Sequence, residues 1–117
     1  MRGSGPRTVI VSVMVTEPVP AGATVRVVVE DVSSVDGAST IVAEAAHRLT
    51  QELERGDRCT FDLVVNDVDA RATYNVRAHI DLTGSGTRTT GDQITARSYP
   101  VLTFGAPERA DIEVVPV

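Results

Sequence analysis

Val9, Val11, Val13 and Val15 alternate with Ile10, Ser12, Met14 and Thr16. A period of two marks a strand, because successive side chains point to opposite faces. Both sets are fairly apolar, so this strand is expected to be covered on both sides. Glu17-Pro18-Val19-Pro20-Ala21-Gly22 interrupts it, since proline has no N–H to give to a ladder. Alternation resumes with Val25, Val27 and Val29 against Arg26, Val28 and Glu30, and Asp36-Gly37 is the next turn signal. Cys59, Phe61, Leu63 and Val65 then share a face opposite Arg58, Thr60, Asp62 and Val64. Asn66-Asp67-Val68-Asp69 reads as a turn, because Asn and Asp side chains bond their own backbone.

The clearest strand follows. Tyr74, Val76, Ala78 and Ile80 alternate with Asn75, Arg77, His79 and Asp81, and the strand ends about Leu82. Gly84-Ser85-Gly86 supplies a flexible reversal. A less regular strand is expected within Thr87 to Ser98, followed by Tyr99 to Thr103. After a break at Gly105-Ala106-Pro107, Ile112 and Val114 carry the alternation towards Val117. One segment is ambiguous. Ile41, Ala45, Leu49 and Leu53 stand at i, i+4, i+8 and i+12, which suits an amphipathic helix over residues 40–55. The competing reading is a strand from Ile41 to His47 with a charged loop from Thr50 to Asp57.

Short strands with turn signals every ten residues or so predict an all-β fold. The expectation is a single antiparallel β-sandwich of about seven strands, Ig-like or transthyretin-like, over residues 8–117. Residues 1–7 are read as a disordered tail or a vector-derived remnant. With 117 residues the chain has room for one domain and one core. Val, Ile and Thr supply 38 residues, with 20 valines against five leucines, a bias that favours pleated strands. All eleven basic residues are arginine, and the formal charge of −5 disfavours non-specific nucleic-acid binding. No apolar run approaches the ~20 residues of a membrane helix.

Each candidate for chemistry has a structural reading that suits it better. The single cysteine, Cys59, shares a face with Phe61, Leu63 and Val65, so it is expected to pack as a small hydrophobe. Tyr74, at the head of its strand, is expected to pin a corner through its hydroxyl, as in Ig-like folds. His47 and His79 have no metal-ligand spacing, and His79 lies on the polar face between Arg77 and Asp81. Asp67 and Asp69 resemble the start of a calcium loop, but Arg71 occupies the third position. Glu52, Asp57 and Asp62 are expected to be solvated. Gly84-Ser85-Gly86 has no following helix or lysine to cradle a phosphate, and no Gly-x-Ser-x-Gly elbow occurs. The expectation is therefore a non-enzyme with no metal and no cofactor. Tyr99, Leu102 and Phe104 are the candidate binding residues, since aromatics dominate interfaces.

Several strings resemble one family. Pro20-Ala21-Gly22-Ala23 leading into Val25, Val27 and Val29, then Asp31-Val32-Ser33, resembles the opening of the YbaY/YscW-like family. Ala43-Glu44 and Phe61-Asp62-Leu63 look like its middle, and Tyr74-Asn75-Val76-Arg77-Ala78-His79-Ile80 is similar to its tyrosine-led strand. Tyr99-Pro100-Val101-Leu102-Thr103-Phe104-Gly105-Ala106-Pro107 looks like its signature near the C-terminus. The resemblance spans about residues 9–115. It implies a compact β-sandwich and tips residues 40–47 towards a strand.

It also implies a non-catalytic, chaperone-type protein that binds another protein, like the lipoproteins that pilot secretins to the outer membrane. The alternative is a structural or self-assembling domain that pairs through an edge strand into a homo-oligomer. By resemblance the location is the cell envelope. Neither a leader-like apolar stretch nor a lipobox cysteine stands near the start, so the residues themselves leave a cytoplasmic location open.

Overall fold

The computed structural model describes residues 6–33, 37, 39–69, 71–102 and 108–117. Eight strands run β1 (Arg7–Val15), β2 (Thr24–Asp31), β3 (Thr40–Arg48), β4 (Arg58–Val65), β5 (Tyr74–Asp81), β6 (Gln93–Thr95), β7 (Pro100–Val101) and β8 (Arg109–Pro116). There is no helix among the described residues. Residues 40–48 are a strand, so the helical spacing from Ile41 to Leu53 is overruled by pairing with β2. Ala43 and Ala45 lie opposite Val29 and Val27, against the core, while Glu44 and Ala46 face out. Leu49 and Leu53 belong instead to the next connection. The Leu49 N–H donates to Ala23, and Val19 and Leu53 exchange two N–H···O bonds.

The all-β expectation holds, but the strands form one sheet rather than the two of a sandwich. Its order is β3-β2-β5-β6-β8-β1-β4, with β7 also on β5. The end strands β3 and β4 approach each other, so the sheet curls into a nearly closed barrel. The expectation of wholly antiparallel pairing also needs correction, because β1 and β8 are parallel, with Val11 beside Ala110 and Val13 beside Ile112. Alternation looks the same in a flat, curled or parallel sheet, so the sequence pattern carried no sign of either feature.

The core is the inner face of this barrel. Val9, Val11, Val13, Val15, Val25, Val27, Val29, Leu63, Val65, Val76, Ile80, Ile112 and Val114 are all buried. Short branched side chains suit the narrow interior of a small barrel. The outer face of β1 is partly covered, as its composition suggested. Arg58 lies across it, its guanidinium donating to the Ser12 hydroxyl at 3.1 Å.

Two further expectations are met. The Tyr74 hydroxyl accepts the Asp69 N–H at 2.9 Å and pins the turn before β5. The turn expected at Asn66–Asp69 is a bend at Asn66 and Asp67 followed by a turn that opens at Asp69, whose carbonyl accepts the Ala72 N–H at 3.0 Å and whose carboxylate accepts the Arg71 N–H at 2.8 Å. The second edge of β5 is covered in two pieces. β6 pairs with His79 and Ile80, β7 pairs with Tyr74 and Asn75, and the Val76 N–H donates to the Tyr99 carbonyl between them.

Candidate functional site

The outer faces of β2, β3, β5 and β6 form a cleft of about 340 Å³ on which the loop 82–92 closes from one side. Register builds its floor. On one row Glu44, Val28 and Arg77 are neighbours across three strands; on the next, Arg26, His79 and Ile94 are. Side chains opposite one another in a sheet stand roughly 5 Å apart, so each row acts as a unit. Arg88 and Gly86 come from the loop, and Ile41, half exposed, forms part of the rim.

The loop is held by two buried carboxylates. Asp81 closes β5, and its Oδ1 accepts the N–H groups of Thr83 and Gly84 at 3.2 and 2.9 Å. Its Oδ2 accepts the Gly86 N–H at 2.8 Å. Gly84 and Gly86 both have positive φ, 75° and 83°, a conformation side-chain-bearing residues seldom adopt. Asp92 holds the other end. It accepts the N–H groups of Leu82 and Thr89 at 3.0 and 3.1 Å and bonds the His79 Nε2 at 2.8 Å. Burial by itself pushes the Asp81 carboxyl up, but the N–H groups of Gly86, Gly84 and Thr83, with nearby His79, outweigh it and hold it below the usual range. For Asp92 burial is again outweighed, here by His79 and the Leu82 and Thr89 N–H groups.

Asp81 stands on the polar face of β5 as expected, but the loop covers it and it is fully buried. Asp92 was not singled out in the sequence at all. Its one local signal is its place between Gly91 and Gln93, just before a short strand. One ligand atom from each of His79, Asp81 and Asp92 lies within 4.8 Å of the others, a spacing a cation can use. Their carboxylates already accept backbone N–H groups, the arrangement a loop anchor requires. The glycine N–H groups of the Gly84-Ser85-Gly86 turn point at Asp81, so they are not presented to a phosphate.

The guanidinium groups of the cleft differ in their partners. Arg77 donates twice to Glu30, at 3.1 and 2.9 Å. Arg26 lies over Asp81, but its Nε is 3.9 Å from Oδ2 and, though buried, has no hydrogen-bond partner among the described residues. Arg88 makes no ion pair among the described residues.

The residues expected to bind a partner lie elsewhere. Tyr99 is half-buried against the core, and its hydroxyl accepts the Glu113 N–H at 3.1 Å. Leu102 is buried, with a positive φ of 53°. Phe104 lies outside the described residues. Cys59 is half-buried, and burial, reinforced by Asp57, pushes its thiol up, away from the reactive thiolate. His47 and Cys59 line a second, more open depression at the seam between β3 and β4.

The family model for the type III secretion system lipoprotein chaperone (YscW) matches residues 6–114. The chain belongs to the YscW family. Among solved structures, one that matches is an alternative pilotin from the type II secretion system of Vibrio cholerae. The two share 24% identity and a TM-score of 0.73, over 96% of this chain and 97% of that one. That likeness shows a shared fold. No curated protein matches the chain.

Proposed function

We propose that this YscW-family domain is a non-catalytic, chaperone-type module that holds a segment of a protein component of a bacterial secretion system. The observation that carries the reading is the family match, which spans nearly the whole domain. The pilotin of similar fold supports it, and so does an open cleft whose polar groups serve to anchor a loop rather than to activate a nucleophile. The cleft is the stronger candidate for the contact. The Tyr99–Phe104 segment is the weaker one, because Leu102 is buried and the Tyr99 hydroxyl is engaged.

The test is to tag the chain in its own organism, solubilise the envelope fraction and identify co-purifying proteins by mass spectrometry. A secretion-system component is expected. Recovery of the chain alone, with a mass by light scattering that rises with concentration, would favour the self-assembling reading instead.

A further inference from the structure

We infer that the cleft takes an acidic, partly apolar peptide segment, with Arg26 and Arg88 as the groups that receive its carboxylates. The inference rests on the client-binding reading above and names the chemistry of the client.

Three arginines line the cleft against one lining carboxylate, Glu44, on a chain whose overall charge is −5. Arg77 is already paired with Glu30. Arg26 is not satisfied in this way, and the reason is visible. Both oxygens of Asp81 beneath it accept backbone N–H groups of the loop, and the closest approach of the guanidinium Nε is 3.9 Å, beyond hydrogen-bond range. That Nε is sealed from the cleft, but the Arg26 side chain as a whole is 43% exposed, so its outer guanidinium nitrogens are the ones an occupant can reach. A carboxylate supplied from the cleft side meets the guanidinium with the planar, two-pronged geometry that arginine favours. Arg88 stands on the same cleft with no ion-pair partner among the described residues.

The apolar floor excludes a purely ionic ligand. Val28 and Ile94 sit within the arginine rows, and Ile41 on the rim is half exposed, so an occupant gains by covering apolar surface as well. A nucleic acid fits poorly, because the rest of the acidic surface repels a polyanion. A peptide with acidic and apolar residues interspersed meets both demands.

The experiment uses two fluorescein-labelled peptides of about a dozen residues, one alternating leucine with glutamate and one alternating leucine with lysine, titrated with the full chain and read by anisotropy. The glutamate peptide is expected to bind more tightly, and to weaken with salt as screening shortens the reach of charge. The double variant Arg26→Gln/Arg88→Gln is expected to lose about tenfold or more in affinity, the effect of removing charge-assisted hydrogen bonds. Glu44→Gln is expected to shift affinity the other way. Circular dichroism and thermal melts confirm that each variant is folded.

Three results overturn the inference: no binding of the glutamate peptide, equal binding of both peptides, or undiminished binding by the arginine double variant. The envelope purification separates this failure from that of the broader reading. If the double variant still recovers the secretion component, the client is bound elsewhere and only the cleft assignment falls. If the wild-type chain recovers none and binds neither peptide, both fall.

Discussion

The two faces of β5 are built by different physics. Its inner face presents Tyr74, Val76, Ala78 and Ile80, all buried among the side chains of other strands. Its outer face presents Asn75, Arg77, His79 and Asp81, each held by specific polar partners: the Ser98 hydroxyl and Tyr99 N–H, Glu30, Asp92, and the loop backbone. The inner face tolerates exchange among residues of similar size, because dispersion and water exclusion are not directional. The outer face depends on individual hydrogen bonds to buried carboxylates, so it is sensitive to one atom and to pH. The same strand thus carries a generic core on one side and a specific device on the other.

The comparison is tested most severely from the inside. Ile80→Ala removes a fully buried side chain and is expected to cost about 2–5 kcal/mol in urea unfolding, with the loop still anchored if the protein folds. A cost below about 1 kcal/mol would mean that the barrel interior is less tightly filled than its burial indicates.

On the other side, Asp81→Asn keeps the volume but turns an amide N–H₂ towards backbone donors. About 1–3 kcal/mol is expected. The distinguishing readout is hydrogen exchange, which should rise across residues 82–92 and leave β1 and β8 protected. Uniform loss of protection would mean that Asp81 supports the whole barrel and not the loop alone.

Acid should separate the faces again. Asp81 and Asp92 are both held below the ordinary carboxylate value, so the folded state binds fewer protons than the unfolded chain in this range. Their contribution is complete above about pH 4, the unfolded aspartate value, and is lost as pH falls through the lower folded values. Melting temperature is therefore expected to drop below about pH 4 in the wild type and to drop less in Asp92→Asn. Parallel pH curves would show that these carboxyls are not the linked groups.

Tyr74→Phe should cost about 0.5–1.5 kcal/mol by deleting the bond to the Asp69 N–H, while its ring stays in the core. The smallest effect is expected for Ile41→Ser, on the cleft rim. Stability should change by no more than about 0.5 kcal/mol, so a larger loss would mean that this rim position supports β3 itself.

The local pattern located nearly every strand. The valine runs of β1 and β2 and the alternation of β5 mark inward positions one by one, and all of them are buried. At residues 40–55 it left helix and strand open, because Ile41, Leu49 and Leu53 mimic a helical spacing; the strand, towards which the family resemblance tipped residues 40–47, is what forms. Tyr74 was legible because its bond partner lies five residues away. The cleft was not. Arg26, His79 and Ile94 come together only through the register of three strands, and Asp92 is separated by eleven residues from the Asp81 whose loop it helps close. Tyr99 and Leu102 were candidates because aromatics dominate interfaces, and the local sequence carried no sign that Tyr99 is half-buried and Leu102 buried.

Composition and alternation, then, determined the all-β class and the valine core, because a strand's two-residue period and a side chain's preference for burial are properties of short stretches. Tertiary structure decided the rest: one curled sheet instead of two, the parallel pairing of β1 with β8, the burial of Asp81 and Asp92, and the unpartnered Nε of Arg26. The sheet order and the parallel pairing depend on which distant strand supplies the partner for a hydrogen bond. That choice is made by closure of the whole sheet and leaves no trace in local periodicity.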